Sequence, residues 1–466
     1  MNGISPTIGA LGGSGGTLQI SGSGNLTAGT YTPAITMSNN ATLEYSSSAN
    51  QTLGGLISGA GGLTKDTSSS STLTLSNGAS SYTGNISITG GTLLATGTTG
   101  GVNPTTGSLG NPQTASRTIT VGTGAALSFG NNDILGNHAS SPVVKLVVNG
   151  GTFTNNGNFF TTLGAVDLNA GTINSTGGAN LSFPSFSLRG PVTVGGSATS
   201  TIGGAGANSQ MVVGVNTAGS QTTFNVADAT GDSVSDLNVT VLLQNNRDGA
   251  GAEVATGIVK SGAGTMTLTE ANTFTGLTSV QEGALVLTGS LSGSVNVANG
   301  ATFDVAGVGG GFVLGAAQTL SGTGSVVGGT TVNGTLSPGN SIGTLSFSSS
   351  LALGGTSAFE ISKTGFTLAS DLAAVSGALT LGGTLNVTAS GDALAFGDTF
   401  DLFNAPSFSG AFATLNLPVL DPGLEWNTAN LGTDGSIAVV PEPGSALLLV
   451  AECSRVVAGA KLVSFL

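Results

Sequence analysis

Charge is what this chain has least of. Charged residues make up 7% of its 466 positions, against about 25% in an average soluble protein, so the charged helix surface of an ordinary globular enzyme cannot be built from it. Basic residues are scarcest: nine Lys and Arg stand against 22 acidic residues, a formal net charge of -13. Cations this few and this scattered cannot follow a phosphate backbone, which argues against nucleic acid as a partner. A single cysteine, Cys453, leaves no internal disulfide framework and no multi-cysteine metal site. A single histidine, His138 in the loop-like LGNHASS, removes most zinc sites and most Ser-His or Cys-His catalysis. The opening MNGISPTIGALGG has no basic segment followed by an apolar one, so no secretory leader is visible and a truncated N-terminus is expected.

What the chain does have is glycine, 79 residues of it, with 39% hydrophobic residues and only 13 prolines. Glycine inside a helix costs roughly 1 kcal/mol relative to alanine, and the low proline content fits neither collagen nor a simple disordered linker. A large strand-built core is the expectation. One short unit recurs without a gap: ITMSNNATLEY (35–45), ITVGTGAALSF (119–129) and VNVANGATFDV (295–305). Each alternates apolar and polar residues, turns on a pair ending in Asn40, Gly124 or Gly300, continues with alanine, and returns to an inward Leu or Phe. Alternation of period two marks half-buried strands, and the turn residue supplies the positive φ of a tight bend. Antiparallel hairpins would also use such turns. A chain that stacks on its own coils pairs every interior strand and leaves few edges to protect, which suits the lack of charge. A right-handed parallel β-helix, a β-solenoid, is therefore expected, with roughly 20 to 25 residues per three-sided coil and on the order of 18 to 20 coils.

A longer unit occurs twice, at residues 61–97 and 257–289. Lys65 aligns with Lys260, Leu73-Thr74-Leu75 with Met266-Thr267-Leu268, Tyr82-Thr83-Gly84 with Phe274-Thr275-Gly276, and Gly91-Thr92-Leu93 with Gly283-Ala284-Leu285. This unit resembles the autotransporter-associated β-strand repeat, and NGTLSPGNSIGTLSF (333–347) resembles the segment that follows such repeats in large bacterial surface proteins. The repeat's secretion route needs a C-terminal barrel of amphipathic strands each about ten residues long, and none is visible in the sequence. Instead VPEPGSALLLVA (440–451) resembles a PEP-CTERM sorting signal, with Pro441, Glu442 and Pro443 as the sorting motif. That resemblance implies export, processing by an exosortase-type enzyme, and transient inner-membrane anchoring through a short C-terminal helical tail. After Ala451 the tail departs from the pattern, since Glu452 and Arg455 interrupt the apolar run and only Lys461 follows. A helix over 444–466 would reach about 35 Å, enough for a hydrocarbon core of about 30 Å, but the charges cancel most of the insertion energy. A frameshift or decay after Ala451 is the expected cause.

The main competing class is a carbohydrate-active β-helix enzyme, a polysaccharide lyase or hydrolase, which needs two or three carboxylates, or a base plus cationic groups, converging from adjacent coils. The densest acidic patch, Asp228, Asp232 and Asp236 in VADATGDSVSDLN, lies in a Gly/Ser/Thr-rich setting that predicts a solvated loop. No calcium-loop pattern occurs. Lys65 and Lys260 are expected at structural corners, Trp426 as a packing residue, and Gly307 to Gly311 as a turn without the context of a phosphate loop. No catalytic, cofactor or metal site is expected. The reading is therefore a nonenzymatic surface or extracellular-matrix protein, with a β-helix over 1–345, breaks near 100 and 256, a C-terminal β region or cap over 346–440 and a sorting tail over 441–466. Its long Thr/Ser/Asn surface would meet extracellular polysaccharide or other cell-surface components.

Overall fold

The corners form where the turn residues predict them. Asn40, Gly124 and Gly300 have φ of 57°, 72° and 79°, the left-handed region that a Cβ disfavours, and the alanines that follow, Ala41, Ala125 and Ala301, are buried. At these bends the chain changes sheet. Thr118–Val121 pairs in parallel with Ile86–Ile88 and Lys145–Asn149, whereas Ala126–Phe129, just past the bend, pairs in parallel with Thr92–Ala95 and Thr152–Asn155. The turns are therefore corners of a parallel β-solenoid, not the loops of hairpins. The computed structural model describes residues 7–8, 15–67, 69–98, 104–136, 144–180, 182–248 and 250–443. His138, Cys453 and the expected helical tail beyond 443 lie outside them.

Two compact units divide the chain, Met1–Ser294 and Val295–Leu466. In the first, one parallel ladder runs through eleven strands from Thr17–Gly22 to Thr278–Val280, and a second begins at Thr30–Tyr31 and ends at Ala284–Leu287. Strand Thr72–Leu75 and its neighbour Thr92–Ala95 alternate half-buried and buried positions, as the period-two pattern requires. In-register pairing then stacks like on like: Leu73, Leu93, Leu127, Phe153, Ile173 and Ile202 form one inward column. Each such side chain contributes about 1.5–3 kcal/mol by burial. Phe129, Phe153 and Phe186 add an aromatic cluster with ring centroids 5.4 to 5.8 Å apart.

The coils are less uniform than expected. Leu43 to Leu63 advances 20 positions, but Ile86 to Ile119 advances 33 and Phe224 to Lys260 advances 36. The extra residues leave as loops while the ladder register is kept. A third face is present in parts, and one part carries four strands, Thr161–Leu163, Phe186–Leu188, Met211–Val213 and Leu243–Gln244.

The second unit has three parallel ladders, the first running through six strands from Val295–Val297 to Thr414–Asn416. Its strands lengthen where the repeat pattern weakens: Thr356–Thr364 spans nine residues and Thr384–Gly391 eight. Antiparallel pairing enters here, between Thr356–Thr364 and Thr367–Ser370, and in a terminal sheet in which Ser436–Pro441 lies between Thr399–Asp401 and Leu424–Asn427.

Candidate functional site

Four charged side chains of the first unit are buried: Lys65, Arg117, Asp236 and Lys260. Lys65 is the last residue of strand Gly62–Lys65 and Lys260 the last but one of strand Gly257–Ser261, at equivalent places in the two long repeats, and both side chains are fully buried. The Lys65 ammonium donates to the carbonyls of Asp66, Thr67 and Gly90 at 2.8, 2.9 and 3.1 Å; that of Lys260 donates to Ser261, Gly262 and Glu282 at 3.1, 2.7 and 3.0 Å. An ammonium has three donors, so each lysine staples its own corner to the next coil. Burial pushes both below the ordinary lysine range, Lys260 to about 8, with Glu282 and Asp236 opposing the shift. Arg117 repeats the device, donating to the carbonyls of Gly84, Asn111 and Leu109 beneath the Tyr82 ring, whose hydroxyl burial pushes up to about 12. These cations are structural corners, as expected for the lysines.

The acidic patch departs from expectation at one residue. Asp228 and Asp232 are exposed loop residues that accept from Gly231 and Val234 backbone N–H groups. Asp236 is fully buried instead of solvated. Its carboxylate accepts from the backbone of Ala229, Thr230 and Thr265, each at 2.8 Å, and from the Thr230 hydroxyl at 3.0 Å. Burial raises its pKa, and these four donors outweigh that, so the net shift is downward. The reason is long-range: Thr265 belongs to the next coil, 29 positions on. Asp371 plays a related part in the second unit, accepting from Glu360 and Gly343 N–H at 2.7 and 2.8 Å, while burial raises it to about 6. The three acidic residues thus do not converge on a site.

Two cations, Arg189 and Arg247, come together over the four-stranded third face. Thr162, Ser187 and Val212 are in register on its outer side, yet Thr162 and Val212 are buried, because two loops cover them. One is the turn at Asn180, whose side-chain oxygen accepts from Ser182 and Phe183 N–H at 2.8 and 3.0 Å and so presents Phe183. The Phe183 ring stacks on Phe160 at 4.9 Å while remaining 49% exposed. The other is the hairpin of Asn246–Arg247 with Glu253–Val254. Its Arg247 guanidinium is clamped by the Gly251 carbonyl at 3.0 Å and the Glu253 carboxylate at 2.8 Å. Between loops and sheet lies a cleft of about 560 Å³, also lined by Arg189, Asn216 and Asp248. Asp248 is the one carboxylate in the lining, and its Oδ1 accepts from Ala250 and Ala252 within the hairpin turn.

The sequence reading missed this cleft. Its residues span 160–251 and share no local motif; only the register of the third face brings them together. The signal that was available is Arg189 and Arg247, two of just nine basic residues, together with the Asp248 turn.

Trp426 packs as expected, its ring 6.3 Å from Phe400 and its Nε1 donating to the Pro418 carbonyl at 2.8 Å. Gly307 to Gly311 connect Thr302–Asp304 to Phe312–Leu314 as a turn. Pro441 closes the terminal strand opposite Leu424, the Glu442 N–H donates to the Gly423 carbonyl at 3.0 Å, and the side chains of Glu442 and Pro443 are exposed. Among the described residues no group of three or more His, Cys, Asp or Glu is placed to hold a metal ion, and no helix is long and apolar enough to cross a membrane.

The family described as passenger-associated-transport-repeat matches the chain twice, over residues 68–95 and 258–287, each wholly within one of the two long repeats. No curated protein matches the chain. Both repeats are thus similar to segments found in autotransporter-associated proteins, and a parallel β-solenoid carrying them suits an exported, passenger-like protein.

Proposed function

We propose that the chain is an exported, nonenzymatic structural and adhesive protein of the bacterial cell surface or extracellular matrix. The observation that carries this reading is the outer side of the second ladder. There Thr72, Thr92, Ala126, Thr152, Thr172 and Thr201 stand in register, next to a column of Thr74, Leu94, Ser128, Thr154 and Asn174. Small hydroxyl and amide groups repeated at the strand spacing offer many weak contacts to extracellular polysaccharide or other cell-surface components. Such contacts gain strength by number, as avidity. Residues 346–440 would act as a cap, their longer strands and antiparallel pairing ending the repeat pattern.

Pro441, Glu442 and Pro443 serve in this reading as the sorting motif for an exosortase-type enzyme, with the residues beyond them holding the chain transiently at the inner membrane. Exposure of Glu442 and Pro443 just past the last strand supports access by such an enzyme. The hydrolase reading is less favoured, since a glycosidase uses two carboxylates and the cleft lining offers Asp248 alone; the lyase reading is less favoured because the lining cations Arg189 and Arg247 are already engaged with Asp133 and Glu253. The test is protease accessibility on intact cells that express the chain from its native locus, with Glu442→Ala alongside. The wild type should be shaved from the surface, and Glu442→Ala should accumulate in the membrane fraction. A wild type found only in the cytoplasmic fraction would overturn the proposal.

A further inference from the structure

Seven cations occur among the described residues. Lys65, Arg117 and Lys260 are held by backbone carbonyls, and Lys145 and Lys363 pair with Asp167 and Asp398 at 2.6 and 2.8 Å. The remaining two, Arg189 and Arg247, line the same cleft. Neither brings excess positive charge to it, because Arg247 is bridged to Glu253 and Arg189 interacts with Asp133. With the whole chain at -13, an anionic ligand would meet no net attraction there.

Three features do point to a ligand. The Phe183 ring, backed by Phe160, offers an exposed flat apolar surface at the cleft mouth. Arg247 Nε, a donor, and Asn216 Oδ1, an acceptor, are buried at the cleft and have no hydrogen-bond partner. Buried polar atoms are nearly always satisfied, so an unpartnered donor and an unpartnered acceptor on residues lining one cleft call for a molecule that does both. The cleft volume of about 560 Å³ lies within the usual range for small-ligand sites, about 300–1,000 Å³.

We propose that this cleft binds a neutral saccharide unit, one sugar face stacked on Phe183 and its hydroxyls accepting from Arg247 Nε and donating to Asn216 Oδ1. A hydroxyl both donates and accepts through a single atom, and a sugar ring carries several of them together with an apolar C–H face to set against an aromatic one. The site goes beyond the proposed function, since it is discrete where the hydroxyl faces are diffuse, and it does not depend on where the protein resides.

The test uses the purified full chain in calorimetric titrations against soluble dextran, xylan, mannan and β-1,3-glucan, with alginate and polygalacturonate as anionic comparisons. At least one neutral glycan should bind, weakened tenfold or more by Phe183→Ala and by Asn216→Ala with melting temperatures unchanged, while Glu425→Ala on the exposed side of the terminal sheet has no effect. Failure of every neutral glycan to bind, or preference for the anionic ones, would overturn the proposal. Neutral-glycan binding that survives both cleft variants would also overturn it, and would leave the hydroxyl faces of the proposed function as the contact surface.

Discussion

The lysines of the two long repeats and the arginines over the third face are handled in opposite ways. In the repeats, Lys65 and Lys260 are buried and each is satisfied by three carbonyls of its own and the next coil. In the stretch between, Arg189 and Arg247 come to the outer side of the third face, beside an exposed aromatic ring. The lesson is that repetition in this chain serves stacking. Chemistry that can meet a partner at a defined point arises where the coil leaves the repeat and spends extra residues on loops, as between Phe224 and Lys260.

Breaking the stacking side of this comparison should have the largest effect. Phe153 is fully buried in register with Leu127 and Ile173 and packs on two other rings. Phe153→Ala should cost about 3–5 kcal/mol in urea unfolding of the first unit. Lys260→Met comes next: it leaves three carbonyls without their donor, and a buried polar group left unsatisfied costs about 1–3 kcal/mol.

A pH series sharpens the same point. Lys260 has a folded value of about 8 against an ordinary 10.5. Between these values the unfolded chain holds a proton the folded chain has lost, so stability should rise as pH rises through that window. The rise should be absent in Lys260→Met. Asp371 has the opposite sign: raised from 3.8 to about 6, it adds stability in acid that is lost as pH rises through 6. Comparing urea midpoints of wild type and Asp371→Asn from pH 4 to 7 checks this. The smallest effect on stability belongs to the cleft, where Phe183→Ala removes a half-exposed ring and should change the unfolding free energy by no more than about 0.5 kcal/mol.

The fold was legible because its signals are local. Period-two alternation marks each strand, and Asn40, Gly124 and Gly300 need no distant partner to require a bend. The structural role of the lysines was legible from their equivalence in the two repeats. Asp236 was not, because its burial depends on an N–H of Thr265 in the following coil, which sequence distance hides. The cleft was not legible either. Phe183, Asn216 and Arg247 sit on separate loops, and what joins them is the register Thr162–Ser187–Val212, a property of stacking and not of any segment.

The division between stacking and contact is tested most directly by measuring melting temperature and glycan binding together on Lys260→Met and Phe183→Ala. The account predicts that Lys260→Met melts lower and binds as the wild type does at a temperature where both are folded, and that Phe183→Ala melts with the wild type and loses binding. Loss of binding in Lys260→Met at unchanged melting temperature, or lowered melting with intact binding in Phe183→Ala, would contradict it.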